Sequence, residues 1–270
     1  MRRHHLIPLA LCLCVLFTRA ALLRAAEPCQ LTVVTDRPEA VYRAGETVSF
    51  LVTAKCGGLS LDINAHGIPN GQPPEYYADL GRGELKDYRT AGRESRDTCY
   101  FLGMFLRLVR AIDFLASQPE WNGRVLCVEG HSQGGGQALA AAGLDPRVTF
   151  LAAGVPAICD HTGAAVGRIN GWPKLVPNDQ QGKPDPKVLQ VARYFDGMNF
   201  ATRTKAEAIL SVGFIDTVCP PTSVYAAYNN LTGKKQMVIR PLMGHRAPPD
   251  VIDEFTKAIW EHIKRVGASH

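Results

Sequence analysis

The residues best suited to covalent chemistry lie in the short segment 130–134, which reads Gly-His-Ser-Gln-Gly. This segment fits the pattern G-x-S-x-G, in which a serine projects from a very tight turn between a strand and a helix. Glycines two residues on either side leave room for the close backbone approach that such a turn forces. The helix that follows would direct its N-terminal N–H groups, and the positive end of its dipole, at a developing oxyanion. Ser132 is therefore the candidate nucleophile.

A glycine-rich phosphate loop is the main alternative for this segment, because residues 134–136 are glycines that open a helical pattern. Such a loop needs a Lys-Ser/Thr pair or the G-x-G-x-x-G fingerprint, and the segment has neither. The apolar, partly β-branched run 125–128 predicts a buried strand before the motif, and residues 138–142 predict a helix after it. These flanking elements favour a serine hydrolase.

A serine nucleophile needs a base, and the base needs an acid that orients it. In parallel α/β sheets, sites form beyond the carboxyl ends of the strands. Asp216 and His245 each come shortly after a predicted strand. The resulting order along the chain, Ser132, Asp216, His245, is that of α/β-hydrolases. The competing interpretations are a freely titrating loop histidine for His245 and a helix N-cap ahead of Thr222 for Asp216.

The remaining histidines carry less weight. We predict a structural role for His131, the variable position of the motif, and a solvated position for His262 on the last helix. His161 follows a predicted strand and is a candidate pocket residue. His66 and Gly67 resemble the His-Gly of an oxyanion loop, which makes them candidates for the oxyanion site or the pocket.

Elements that alternate between strand and helix must position these residues. Strands and helices are predicted at 59–64, 101–117, 125–128, 138–142, 148–153, 187–195, 208–214, 222–229, 236–240 and 250–266. This alternation predicts an α/β fold, with a parallel sheet and helices on both faces. The proline-containing excursion 155–190 is typical of a lid or a pocket wall.

The N-terminal part has a different character. A basic start and the apolar run 6–17 predict a secretory signal peptide over residues 1–26, hence a secreted or periplasmic protein. Residues 27–58 resemble a short β-rich, immunoglobulin-like remnant with strands at 30–35 and 47–53, although such sandwiches need about seven strands. The predicted division is therefore 1–26, 27–58 and an abbreviated α/β domain over 59–270.

Charge and cysteine usage exclude some functions. The formal net charge is +5, and removal of residues 1–26 takes away four arginines and no acid, which leaves +1. A balance so close to neutral argues against nucleic acid or an anionic membrane as a partner. The cysteines after residue 26 contain no C-x-x-C pair, which argues against a zinc ribbon. Cys29 and Cys56 are candidates for a disulfide in an oxidising compartment.

With these residues in place, the chain resembles the acetyl xylan esterase and cephalosporin-C deacetylase family, carbohydrate esterase family seven. The similarity runs almost continuously over residues 100–245, and its most specific motifs are residues 132–136 and 216–221. The resemblance implies deacetylation of an acetylated oligosaccharide or another small acetyl ester, with no metal or cofactor. It places nucleophile, acid and base on Ser132, Asp216 and His245, and one oxyanion donor on the backbone N–H of Gln133.

The chain also departs from the family pattern. His66-Gly67 stands where the family usually has Arg-Gly, and Arg246 stands where it often has Glu. The first three strands of the family's sheet, and the loop that gives the second oxyanion donor, have no counterpart, so the chain looks internally deleted. We therefore predict that the strand 59–64 pairs directly with 125–128, and that activity is weak. The alternatives are a catalytically silent carbohydrate- or partner-binding remnant, and a dienelactone-hydrolase-like or peptidase-like hydrolase; the oligomeric state stays open.

Overall fold

A computed structural model describes residues 59–69 and 71–267, together with the backbone of two short segments, 32–35 and 50–53. Those two segments are the antiparallel strands β1 (Thr32–Thr35) and β2 (Phe50–Thr53). They agree with the predicted strands of the N-terminal part, and the immunoglobulin-like assignment stays a prediction. The predicted signal peptide and the candidate pair Cys29 and Cys56 lie outside the described residues.

Four parallel strands form the main sheet, and they lie in the order in which they occur along the chain. They are β3 (Cys127–His131), β4 (Phe150–Gly154), β5 (Glu207–Gly213) and β6 (Lys235–Arg240). The register of the first pair runs from Cys127 opposite Phe150 to His131 opposite Gly154. The parallel α/β sheet predicted from the sequence is confirmed, and its strands all end at one edge of the sheet.

Helices connect the strands and cover both faces of this sheet. They are α1 (Pro74–Arg82), α2 (Tyr100–Ser117), α3 (Gln133–Leu144), α4 (Pro186–Ala192), α5 (Gly197–Ala201), α6 (Pro221–Asn230) and α7 (Pro249–Gly267). Successive residues of β4 enter two different cores: Leu151 and Ala153 pack with α2 and α3, whereas Phe150 and Ala152 pack with α7. This alternation follows from the two-residue period of a strand that is buried on both faces.

The strand predicted at 59–64 is wrong, and so is its pairing with 125–128. Residues 59–64 form no strand, and β3 pairs only with β4 among the described residues. A cavity of about 230 Å³ is lined by residues 61–63 on one side and by residues 127–129 on the other. The segment is held by α2 instead, because Arg107 donates to the Ala65 carbonyl at 3.3 Å and the His66 Nδ1 lies 3.0 Å from the Tyr100 hydroxyl.

The prediction that His262 is solvated is also wrong. Its side chain is 3% exposed, its Nε2 lies 3.0 Å from the Thr149 Oγ1, and its ring packs against Phe150 at 4.9 Å. Val251 and Phe255 are buried on the same helix, and His262 follows Phe255 by two helical turns. The helical period therefore carries the histidine onto the buried face.

Of the helices in the described part of the chain, none combines the length and hydrophobicity that a membrane span requires.

Candidate active site

Ser132 occupies the sharp turn between β3 and α3. Its φ of 56° and ψ of −117° are unusual for a residue with a side chain, and such strained conformations concentrate at functional sites. The Ser132 N–H donates to the Gly154 carbonyl at 2.8 Å, and the Ser132 carbonyl accepts from the Ala157 N–H at 2.9 Å. These bonds fix the turn to β4 and the loop that follows it.

The two glycines of the motif differ in what they contribute. A Cβ at Gly130 would lie 2.2 Å from the Gly134 carbonyl oxygen, so only glycine fits there without a backbone shift. A Cβ at Gly134 would meet nothing within 4 Å, because this residue lines the cavity beside β3. The sequence predicts that the backbone approaches closely at both glycines. The structure shows such an approach at Gly130 and open space at Gly134.

The structure brings Ser132, His245 and Asp216 together in one hydrogen-bonded chain. The Ser132 Oγ lies 2.7 Å from the His245 Nε2, and the His245 Nδ1 lies 2.9 Å from the Asp216 Oδ2. Asp216 follows β5 and His245 follows β6, two adjacent strands whose carboxyl ends lie side by side. A serine hydroxyl in contact with an imidazole that a carboxylate orients can act as a nucleophile towards a carbonyl.

Asp216 is 3% exposed, and both of its carboxylate oxygens have partners. Its Oδ1 accepts from the backbone N–H groups of Val218 at 2.8 Å and Cys219 at 2.9 Å, which leaves Oδ2 for His245. The helix that follows has Pro220 at its N-cap and no side-chain cap. The alternative interpretation of Asp216 as the cap of that helix therefore does not hold.

Two further side chains surround the nucleophile and its base. The ring of His131 lies 5.6 Å from that of His245, and burial, with the neighbouring His245, lowers the pKa of His131. A Cβ at Gly154 would come within 2.8 Å of that ring. Burial raises the pKa of the Cys219 thiol to about 12, while the adjacent Ser132 hydroxyl acts in the opposite sense. Both shifts favour the neutral forms of His131 and Cys219.

Gln133 is the first residue of α3, and its backbone N–H is among those that a helix leaves unpaired at its N-terminus. Its side-chain Oε1 accepts a hydrogen bond of 2.9 Å from the Tyr88 hydroxyl. The ring of Tyr88 in turn packs edge-on against His66 at 4.6 Å and lies 6.4 Å from that of Trp172. Sequence reasoning missed Tyr88 because the region 72–98 has no periodicity that would indicate its position.

The other candidate residues lie outside this hydrogen-bonded chain. His66 packs against Tyr88, whose hydroxyl donates to Gln133, and Gly67 packs against the Arg107 side chain with a φ of +67°. His161 is 3% exposed, and its backbone N–H donates to Asp196 at 2.8 Å. In the described part of the chain, no group of three or more His, Cys, Asp or Glu side chains is placed to hold a metal ion.

Comparison with known proteins identifies the family of the chain. A profile of the acetyl xylan esterase family (AXE1) matches residues 42–262. The acetyl esterase Axe7A of Xylanibacter ruminicola is 34% identical over 209 residues, which cover 77% of this chain and 47% of the relative. This chain thus spans about half the length of the curated relative it matches.

Two solved structures are similar in fold. An acetyl xylan esterase from Paenibacillus sp. R4 has a TM-score of 0.57 at 32% identity, over 64% of this chain and 57% of that one. Acetyl xylan esterase 1 from Thermoanaerobacterium sp. JW/SL YS485 has a TM-score of 0.50 at 24% identity, over 78% and 66%, and at that identity it supports the fold alone. The resemblance found in the sequence is confirmed: the chain belongs to the acetyl xylan esterase family.

Proposed function

We propose that this protein is a serine esterase that removes acetyl groups from acetylated carbohydrates. The observation that carries the proposal is the unbroken contact from the Ser132 Oγ through His245 to Asp216 in a member of this family. Relatives with similar sequences bear the names acetyl esterase and acetyl xylan esterase. No metal or cofactor enters the proposed reaction.

In the proposed mechanism, the His245 Nε2 accepts the proton of Ser132 while the Oγ attacks the acetyl carbonyl carbon. Asp216 holds the imidazole in the required tautomer and stabilises its charged form. The bond between the acetyl carbon and the sugar oxygen then breaks, and that oxygen takes the proton from His245 to become a free sugar hydroxyl. The acetyl group stays on Ser132 as an ester. Water then attacks this ester with His245 as base, and acetate and free Ser132 are released.

The oxyanion that forms during both steps needs hydrogen-bond donors. The backbone N–H of Gln133 is in a position to be one of them, at the positive end of α3. The segment expected to provide another has its backbone N–H groups engaged elsewhere: those of His66 and Gly67 both donate to Asn64, at 2.9 and 3.2 Å. Loss of one oxyanion donor costs about 10²–10³ in turnover. We therefore propose that turnover is low beside that of longer relatives.

The sequence pattern of residues 1–26 supports the further proposal that the protein is exported from the cytoplasm. Its substrates would then be acetylated polysaccharides outside the cell. Mass spectrometry of the protein from the culture medium tests this, because an exported chain starts after the signal segment. Retention of the whole protein inside the cell, with residues 1–26 intact, would contradict export.

A fluorophosphonate probe tests the nucleophile directly, together with acetate release from 4-nitrophenyl acetate and acetylated xylo-oligosaccharides. We expect a single adduct on Ser132, and Ser132→Ala should abolish both labelling and acetate release. Ser60→Ala, which changes an exposed serine outside the site, is the matched control and should behave like the unaltered chain. An adduct on another serine, or labelling that survives in Ser132→Ala, would refute the proposal.

A further inference from the structure

We infer that a pocket beside the nucleophile binds the sugar part of the substrate and favours a sugar chain that carries a carboxylate. This inference rests on the proposed esterase function and goes further, because it names a feature of the substrate. The pocket has a volume of about 490 Å³, and its lining includes the aromatic residues His66, Tyr77, Tyr88 and Trp172 and the cationic residues Lys86 and Arg89.

The pocket adjoins the catalytic centre through two of its walls. The Tyr88 hydroxyl donates to the side chain of Gln133, the residue directly after Ser132. The Trp172 backbone N–H donates to the Val218 carbonyl at 2.8 Å, and the Val218 backbone N–H donates to Asp216. The alcohol part of an ester bound at Ser132 must extend away from the turn, and this adjoining pocket offers space for a sugar ring.

The aromatic walls are held in place before any ligand binds. The Tyr77 hydroxyl donates to the Pro69 carbonyl and accepts from the Gln72 N–H, each at 2.9 Å. Tyr88 is fixed by its bond to Gln133 and by ring contacts with His66 and Trp172. Rings with an apolar face and a polar tip suit a sugar, which offers C–H faces and hydroxyl edges. Fixed walls also reduce the entropy lost on binding.

The charge of the pocket indicates which sugars it prefers. Lys86 and Arg89 are exposed, and neither forms an ion pair with the described residues. Glu84 and Asp87 are close in sequence but do not line the pocket. Arginine binds carboxylates through paired hydrogen bonds, and lysine adds a second positive charge. A neutral sugar chain would use the rings alone, whereas a chain with a uronic acid substituent would also engage these two cations.

The test compares acetate release from two acetylated xylo-oligosaccharides of equal length, one neutral and one with a uronic acid substituent. We expect the full chain to favour the acidic oligosaccharide by about tenfold in kcat/KM, mainly through a lower KM. Raised salt should reduce this preference, because both cations are exposed and easily screened. The double variant Lys86→Gln/Arg89→Gln should lose the preference.

The matched control is Arg203→Gln/Lys205→Gln, which removes two exposed cations just before β5, at the opposite end of the strand from Asp216. It should keep the full preference for the acidic oligosaccharide. Equal kcat/KM for the two substrates in the full chain, or a preference that survives in Lys86→Gln/Arg89→Gln, would overturn the inference.

A binding measurement separates this inference from the proposed function. Titration calorimetry of the Ser132→Ala chain with deacetylated neutral and uronic-acid-bearing oligosaccharides needs no turnover. We expect tighter binding of the acidic one, and equal or undetectable binding of both would overturn the inference. Failure of the unaltered chain to release acetate from any ester would refute the proposed function, while the titration would still decide the preference of the pocket.

Discussion

The carboxylate of Asp216 shows how one buried charge can be stabilised by contacts of two kinds. Two backbone N–H groups bind its Oδ1, and the imidazole of His245 binds its Oδ2. A buried carboxylate without such partners would be costly, since the charge is removed from water. Its orientation is therefore set by the backbone of its own loop, and the histidine is aligned on a fixed oxygen.

Asp216→Asn should keep the shape of this contact but reverse the direction of the hydrogen bond to His245. An amide N–H in place of Oδ2 would donate to the His245 Nδ1, which places the imidazole proton on Nε2, facing Ser132. We expect a loss of about 10³–10⁴-fold in kcat on 4-nitrophenyl acetate. Asp253→Asn, at an exposed position on α7, is the control and should retain activity. A loss below about tenfold in Asp216→Asn would contradict the proposed role.

Only some of these residues could be found from the sequence. Ser132, Asp216 and His245 could be found because each follows an element with a strong local pattern, and parallel strands bring their carboxyl ends to one edge. Tyr88 could not, because its contact with Gln133 joins positions 45 residues apart through a segment of irregular turns. The helical period of α7 indicates that His262 is buried, whereas the polarity of a histidine predicts a solvated position, and that second prediction is wrong.

At the scale of an element, α3 contains a matched pair of glycines that should respond in opposite ways to the same substitution. Gly134→Ala fills open space within a helix, so we expect it to stabilise the fold by about 0.5–1 kcal/mol. In Gly136→Ala the new Cβ would lie 2.3 Å from the Ala157 carbonyl oxygen, and we expect a loss of about 1–3 kcal/mol.

Urea unfolding of the two glycine variants and the unaltered chain measures both effects. If both variants were destabilised, the cavity beside β3 would have to be filled in solution. If both were stabilised, the approach of α3 to the loop after β4 would have to be looser than described.

The excursion after β4 is tied to the loops that carry the catalytic residues. Its Trp172 backbone N–H donates to the Val218 carbonyl at 2.8 Å, and its Ala157 N–H donates to the Ser132 carbonyl at 2.9 Å. We predict that this wall limits the acyl group to a small one, so that kcat/KM falls from acetyl to butyryl to octanoyl esters of the same alcohol. Equal or faster turnover of the octanoyl ester would contradict a restrictive wall.

The success of sequence reasoning differs between elements for a physical reason. Helices such as α2 and α7, and the buried strands β4 and β5, have patterns that packing on the sheet requires, so their existence could be predicted. Residues 59–64 also alternate, but alternation describes side chains and does not determine which neighbour the backbone meets. Contacts of Ala65 and His66 with α2 decide their position, and those contacts are distant in sequence.

At the scale of the whole molecule, stability should depend on pH through buried histidines. His161 is 3% exposed, and burial lowers its pKa below the ordinary value of about 6.5. The unfolded chain therefore binds more protons than the folded one as the pH falls below that value. The contribution of His161 to stability is complete above about pH 6.5 and is lost as the pH falls towards the lowered pKa. Burial also lowers the pKa of His131 and His262.

We therefore expect the melting temperature to decrease from pH 7 to pH 5, and the decrease to be smaller in His161→Gln, whose side chain does not titrate. Differential scanning calorimetry at a series of pH values measures both slopes. The same pH dependence in His161→Gln and in the unaltered chain would show that other groups control acid stability.

The position of Trp172 has an optical consequence. The chain has three tryptophans, and they lie in different surroundings. Trp121 donates its indole N–H to the Val125 carbonyl near the start of β3, Trp260 is 54% exposed on α7, and Trp172 lies against Phe101 and Tyr88 beside the pocket. A sugar ring that enters the pocket would change the surroundings of Trp172 and leave the other two unaffected. The intrinsic fluorescence of this indole, with Trp172→Phe as the blank, should therefore follow pocket occupancy in real time without any added label.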